Sequence, residues 1–215
     1  MPHVRRGGRP SREASEQLGE LILDVATALF LAHGFGATSI EAVAEGARIS
    51  KRTFYHRFAD KPALFAAVVQ RIVLRLRPAA GTALIEGADL RAVLERLAAF
   101  ILRASLSPQA VALHRLMVAE SARFPELAEV LAREGSMQEA IALIAGLLER
   151  DGKTGRLEVA EPAFAAQHFL QMVIALPQRR AVGLGAPMSR REIAEWPRKV
   201  VDLFLYGCRR DTQRS

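Results

Sequence analysis

At 215 residues, half of them hydrophobic, the chain can bury a core as one large domain or two small ones, which excludes disorder as its main state. Cys208 is the only cysteine, which excludes an intramolecular disulfide and a CxxC metal knuckle and fits a reducing compartment. A net charge of +7 directs attention to an acidic partner, and the charge is clustered rather than spread.

Residues 1–14 are expected to form a basic flexible arm carrying Arg5, Arg6, Arg9 and Arg12, which can enter a DNA minor groove or keep a tail soluble. From 13 to 47 the charge turns acidic, with Glu13, Glu16, Glu20, Asp24, Glu41 and Glu45. It turns basic again over 48–61, where Arg48, Lys51, Arg52, Arg57 and Lys61 stand against Asp60. Leu18, Leu21, Ile22, Val25, Ala26, Leu29 and Phe30 recur at three- and four-residue steps, predicting one amphipathic helix over 15–33 that stops at Gly34. Thr38 and Glu41 have the spacing of a capping box and open a short helix with Ile40, Val43 and Ala44. Ala47, Arg48 and Ile49 make a turn, Ser50 caps a third helix from Lys51, and Asp60 caps a fourth with Pro62 in its first turn.

Two short helices across a three-residue turn are the helix-turn-helix arrangement, whose second helix lies in the major groove. At 100° per residue Lys51, Arg52, Tyr55 and His56 fall within an arc of about 140°, with Phe54 and Phe58 on a neighbouring arc. One face anchors and the other meets solvent. Lys and Arg side chains suit guanine O6 and N7, and hydroxyls suit phosphate oxygens.

Beyond residue 61 helices are predicted at roughly 61–77, 89–105, 108–122, 125–150, 162–180 and 190–207, with Gly135 a possible interruption. Pro197 should kink or restart the last of them, which opens on a Ser189–Glu192 capping box. No strand pattern competes, so the fold is all-α. The N-terminus lacks an apolar run, and the apolar stretch 163–177 carries Gln167, His168 and Gln171; neither reads as a signal peptide or a membrane span, and a cytoplasmic protein is expected.

An enzyme finds little support. His3, His33, His56, His114 and His168 are scattered without HExxH spacing, so no metal or other cofactor is expected. The sequence DGKTG (151–155) has Leu147 where a P-loop needs its first glycine. A helical protein-interaction adaptor would leave the basic cluster at 48–61 without a purpose.

The stretch TSIEAVAEGARISKRTFYHRFADKPALF (38–65) resembles the DNA-binding signature of TetR/AcrR-type transcriptional regulators through Thr38, Ala44, Ser50, Thr53, Phe54, Tyr55, Phe58, Lys61 and Leu64. It departs at Arg48, where the family often has Gly, Asn or Asp; the turn's conformation stays open, and an arginine there also reaches phosphate. The resemblance implies that Thr38 or Ser39, Tyr55 and Lys61 grip phosphates, that Lys51, Arg52, Thr53 and His56 approach bases or nearby backbone, and that Arg57 adds a backbone contact. It implies an N-terminal helix-turn-helix domain (15–60), a larger helical ligand-binding and dimerisation domain (61–208) and a tail (209–215). The implied partners are an inverted-repeat DNA operator, a small and largely apolar effector, and a second copy of the chain. His114, Met117, His168 and Gln171 are candidate effector residues. Phe164, Phe169, Met172, Val173, Ile193, Val200, Val201 and Phe204 have the spacing to supply the interface that the family builds from its last two helices. All twelve fit a plain structural role as well.

Overall fold

In the computed structural model, which describes residues 12–78, 83–86, 89–153 and 159–207, every regular element is an α-helix. The four-residue spacing of Ile22, Ala26 and Phe30 becomes the fully buried face of α1 (Arg12–Ala37). Helical geometry breaks at Gly34, with φ 87° and ψ 169°, where the stop was expected. A side chain there would be strained by the positive φ, and its Cβ would also lie 2.1 Å from the Glu120 carboxylate.

α2 (Ile40–Gly46) is capped by Ser39, not by Thr38 as the spacing suggested. Ser39 is the residue with extended backbone, and its hydroxyl accepts from the Ala42 N–H at 3.0 Å. Thr38 is buried and donates to the Gly34 carbonyl at 2.7 Å. α3 (Lys51–Tyr55) and α4 (Lys61–Leu76) start as expected at Ser50 and Asp60, whose side chains accept from Thr53 N and Ala63 N.

The next helices are α5 (Leu90–Ser105), α6 (Pro108–Glu120), α7 (Glu126–Glu134) and α8 (Met137–Gly152). The single helix expected over 125–150 is therefore two. Gly135 turns extended, with φ −72° and ψ 156°, and a Cβ on it would sit 2.3 Å from the Leu131 carbonyl oxygen, so glycine permits this corner.

α9 (Pro162–Ala181) and α10 (Arg190–Gly207) each run through an internal proline. Of the kink or restart expected at Pro197, the restart does not occur: helix continues on both sides, with the ring buried. Pro177 lacks the N–H that would bond the Val173 carbonyl, and Trp196 of α10 supplies a donor instead, its Nε1 3.0 Å from that oxygen. The proline's lost bond thus becomes a joint between the last two helices.

Among the described residues the buried side chains form two clusters. One joins α1–α4 to Leu113, Leu116 and Met117 of α6 and Leu127 and Val130 of α7. The other joins α5, α8, α9 and α10. The rings of Phe30, Phe35, Phe65 and Phe124 bind the first cluster, with Phe35 5.5 Å from Phe65 and 5.2 Å from Phe124. Arg71 of α4 is buried against α1, donating to Asp24 Oδ1 at 2.8 Å, the Leu23 carbonyl at 2.7 Å and Thr27 Oγ1 at 2.6 Å. α1 and α4 are therefore clasped along a full helical turn.

Candidate nucleic-acid interface

The turn between α2 and α3 is a Schellman closure. Ile49 N donates to the Ala44 carbonyl at 2.9 Å and Arg48 N to the Glu45 carbonyl at 3.0 Å. That geometry needs a left-handed residue after the helix, and Arg48 takes it, with φ 54°. The place where the family often has Gly, Asn or Asp is thus a true left-handed position, occupied here by a residue that adopts it at a cost.

On α3 the rings divide by face. Phe54 is fully buried and Phe58 half-buried against the first core, while Tyr55 keeps 53% of its surface exposed. Lys51, Arg52 and His56 are exposed beside it. Thr53 is half-buried, with its hydroxyl 2.9 Å from Ser50 Oγ. Ser39 and Arg48 are exposed at the two ends of α2.

Three residues expected on phosphates have partners within the protein. Lys61 Nζ donates to the carbonyls of Phe35 at 2.9 Å and Thr38 at 3.1 Å, and lies 4.4 Å from the centre of the Phe35 ring. The end of α1 leaves carbonyls without helical partners, and a cation suits that negative end. Arg57 donates to the carbonyl and, at 2.8 Å, to the hydroxyl of Ser15 on α1. Thr38 spends its hydroxyl on Gly34. Arg5, Arg6 and Arg9 lie outside the described residues.

Sequence reasoning missed one partner on this surface. Lys51 Nζ lies 2.6 Å from Glu41 Oε1, an ion pair from the first residue of α3 to the first turn of α2. The Lys51 hydrogen bond holds the Glu41 carboxyl below the usual carboxylate range, and Glu41 raises Lys51 in turn. Ten residues separate the two, so only the folded turn reveals the pair.

Comparison with known proteins places this geometry. Residues 22–68 match the family model described as bacterial regulatory proteins, tetR family, and residues 92–207 match one described as AefR-like transcriptional repressor, C-terminal domain. The chain belongs to the TetR family. A TetR-family transcriptional regulator from Mesorhizobium loti shares 26% identity with a TM-score of 0.75, over 94% of this chain and 100% of that one. The flavonoid-responsive regulator FrrA shares 29% identity with a TM-score of 0.72, over 92% and 100% of the two chains. The HTH-type transcriptional activator FasR of Mycolicibacterium smegmatis is 34% identical over 101 residues, 45% of each chain. A second curated relative, from Mycobacterium tuberculosis, matches over 30% of its length, so the chain spans less than half of the curated relatives it matches.

Within this TetR-family chain the structure sorts the C-terminal candidates. Phe169, Val173 and Val201 have no exposed surface, and Val200 and Phe204 have little, so these five fill the protomer's own second core rather than a face for a partner. Met172 and Ile193 pack at its margin. Of the eight expected interface residues, Phe164 remains strongly exposed, at 58%. Leu176 at 45% and Leu203 at 67% belong with it, on the outer faces of α9 and α10, and sequence spacing did not single them out. Gln171, Met172, Leu176, Trp196 and Leu203 line a groove of about 360 Å³ between the two helices.

The effector candidates separate in the same way. His168 and Gln171 lie on the exposed outer face of α9, with the His168 ring 4.0 Å from that of Phe164, so they do not line an interior site. Met117 is in the first core, between α6 and the helix-turn-helix unit. His114, one turn before it on α6, is half-buried, and desolvation pushes its pKa down.

Proposed function

We propose that this protein is a ligand-responsive transcriptional repressor that binds an inverted-repeat operator as a homodimer and releases it when a small, largely apolar effector binds the C-terminal helices. The observation that carries this reading is α3: a short, Ser50-capped helix, pinned by Phe54, that presents Lys51, Arg52, Tyr55 and His56 to solvent. Arg52 and Lys51 serve as base readers, with Tyr55, His56, Ser39 and Arg48 on the flanking phosphates. Lys61, Arg57 and Thr38 act indirectly, by fixing the ends of α1 and α4 on which α3 rests.

The length of α3 supports the homodimer. Five residues of helix read few base pairs, whereas a twofold pair reads two half-sites roughly 34–36 Å apart. The exposed apolar face of α9 and α10, with Phe164, Leu176 and Leu203, supports a second copy as its partner. The C-terminal family description names a repressor and the relative FasR an activator; the repressor reading rests on the former, which spans residues 92–207. α1 is the one described helix long and apolar enough to cross a membrane, yet its Ile22, Ala26 and Phe30 are buried in the protein core, which supports a cytoplasmic protein.

The test is Arg52→Ala against an operator selected from a random duplex pool by the parent protein. Losing a base-reading arginine should cost about 1–3 kcal/mol and relax preference at one position of each half-site. Uniform weakening on all duplexes would remove Arg52 from the base readers.

A further inference from the structure

Glu41 places an acid on a surface that has to meet phosphates. It sits in the first turn of α2, its Oε1 lies 2.6 Å from Lys51 Nζ, and the two side chains are each 58% exposed. The pair bridges the two helices of the motif, and each partner favours the charged form of the other. A carboxylate in the first turn of α2 suits the positive end of that helix, but its pairing with Lys51 adds little to folding. Exposed ion pairs contribute little to stability, α2 has its own cap in Ser39, and the turn is closed by backbone bonds. The consequence falls on binding instead, because Lys51 is the first residue of the reading helix, where side chains aim at base edges.

We propose that Glu41 damps sequence-independent binding: its carboxylate holds the Lys51 ammonium and withholds one cation per protomer from the phosphates of arbitrary DNA. The inference rests on the operator reading of α3 given above. On unmatched DNA a free lysine gains by releasing a counterion from a phosphate, which any sequence offers. Paired with Glu41 it brings no net charge, so this sequence-independent gain is lost. At a matched base the lysine has to leave Glu41 for guanine O6 and N7, so the pair lowers affinity there as well.

The test measures binding of parent and Glu41→Gln to a scrambled duplex and to the selected inverted repeat, from about 50 to 200 mM salt. On the scrambled duplex the variant's log–log salt slope should steepen by about 0.9 per protomer, so a dimer's gain over the parent shrinks roughly tenfold across that range. In a Lys51→Met background, Glu41→Gln should leave the slope unchanged. Glu41→Ala, which removes the charge and keeps a strong helix former, should repeat the result. Equal slopes for parent and both variants would overturn the proposal, as would equal steepening in the Lys51→Met background, which would mean that Glu41 acts by bulk charge alone. A parent that binds no duplex at about 50 mM salt would overturn the operator reading itself, a separate and distinguishable failure.

Discussion

Arg48 is the residue where conformation and charge pull in opposite directions. The Schellman turn requires a left-handed backbone, and Arg48 supplies it with φ 54° where glycine would carry no steric penalty. Arg48→Gly should therefore stabilise the fold by about 1 kcal/mol, read as a higher denaturation midpoint and a Tm raised by about 2–4 °C. The same change should weaken DNA binding, because the exposed guanidinium would be gone. A variant that is both less stable and unchanged on DNA would refute both parts. Residue chemistry in the sequence identified Arg48 as a departure but could not say what the departure meant. Lys61 shows the complementary limit. Its charge and position pointed to phosphate, yet its ammonium finds the carbonyls of Phe35 and Thr38, which are twenty-six and twenty-three residues away in sequence.

Helices with local signals were legible; those set by long-range packing were less so. Ser50, Asp60 and Ser189 each start a helix as their spacing indicated, because a cap acts within one turn. Thr38 misled because two adjacent hydroxyl residues compete for one cap, and the break at Gly34 decided for Ser39. On α9 and α10, period alone could not separate the side that faces α5 and α8 from the side that faces outward. Phe169 and Val173 accordingly fill the core while Leu176 and Leu203 stay exposed. The corner between these helices carries a pH dependence. Glu192 is held down to about 2 by hydrogen bonds, first from the Ser189 backbone N–H and then from the Arg180 guanidinium. A carboxyl lowered in the folded state contributes stability that is complete above its ordinary value of 4.5 and is lost as pH falls toward about 2. Because its side chain is 45% exposed, water screens the effect. Thermal melts across that window should show the parent losing more Tm on acidification than Glu192→Gln; parallel curves would place the acid sensitivity elsewhere.

Across the molecule, the helix-turn-helix unit is continuous with the helices behind it. Its core takes in Leu113, Leu116 and Met117 of α6 and Leu127 and Val130 of α7, Arg71 clasps α4 to α1, and Glu120 of α6 accepts from Gly36 N at 2.8 Å. A shift of α6 or α4 therefore has a packed route to α3. An effector that favours the DNA-incompetent arrangement would need a coupling of about 1–3 kcal/mol. The all-α architecture and the reading helix were visible in the sequence because periodicity and capping are local. The packing of α6 and α7 into the core of the helix-turn-helix unit was not, because it depends on contacts between residues some eighty positions apart, as between Gly36 and Glu120. This arrangement predicts sequence-selective binding by a twofold pair of α3 helices. Its most direct measurement is the affinity of the purified protein for its selected inverted repeat against a scrambled duplex of equal length, at about 150 mM salt, with the stoichiometry read in the same titration. The expected result is one dimer per repeat and a preference of about 10³ or more; equal affinity for the two duplexes would contradict it.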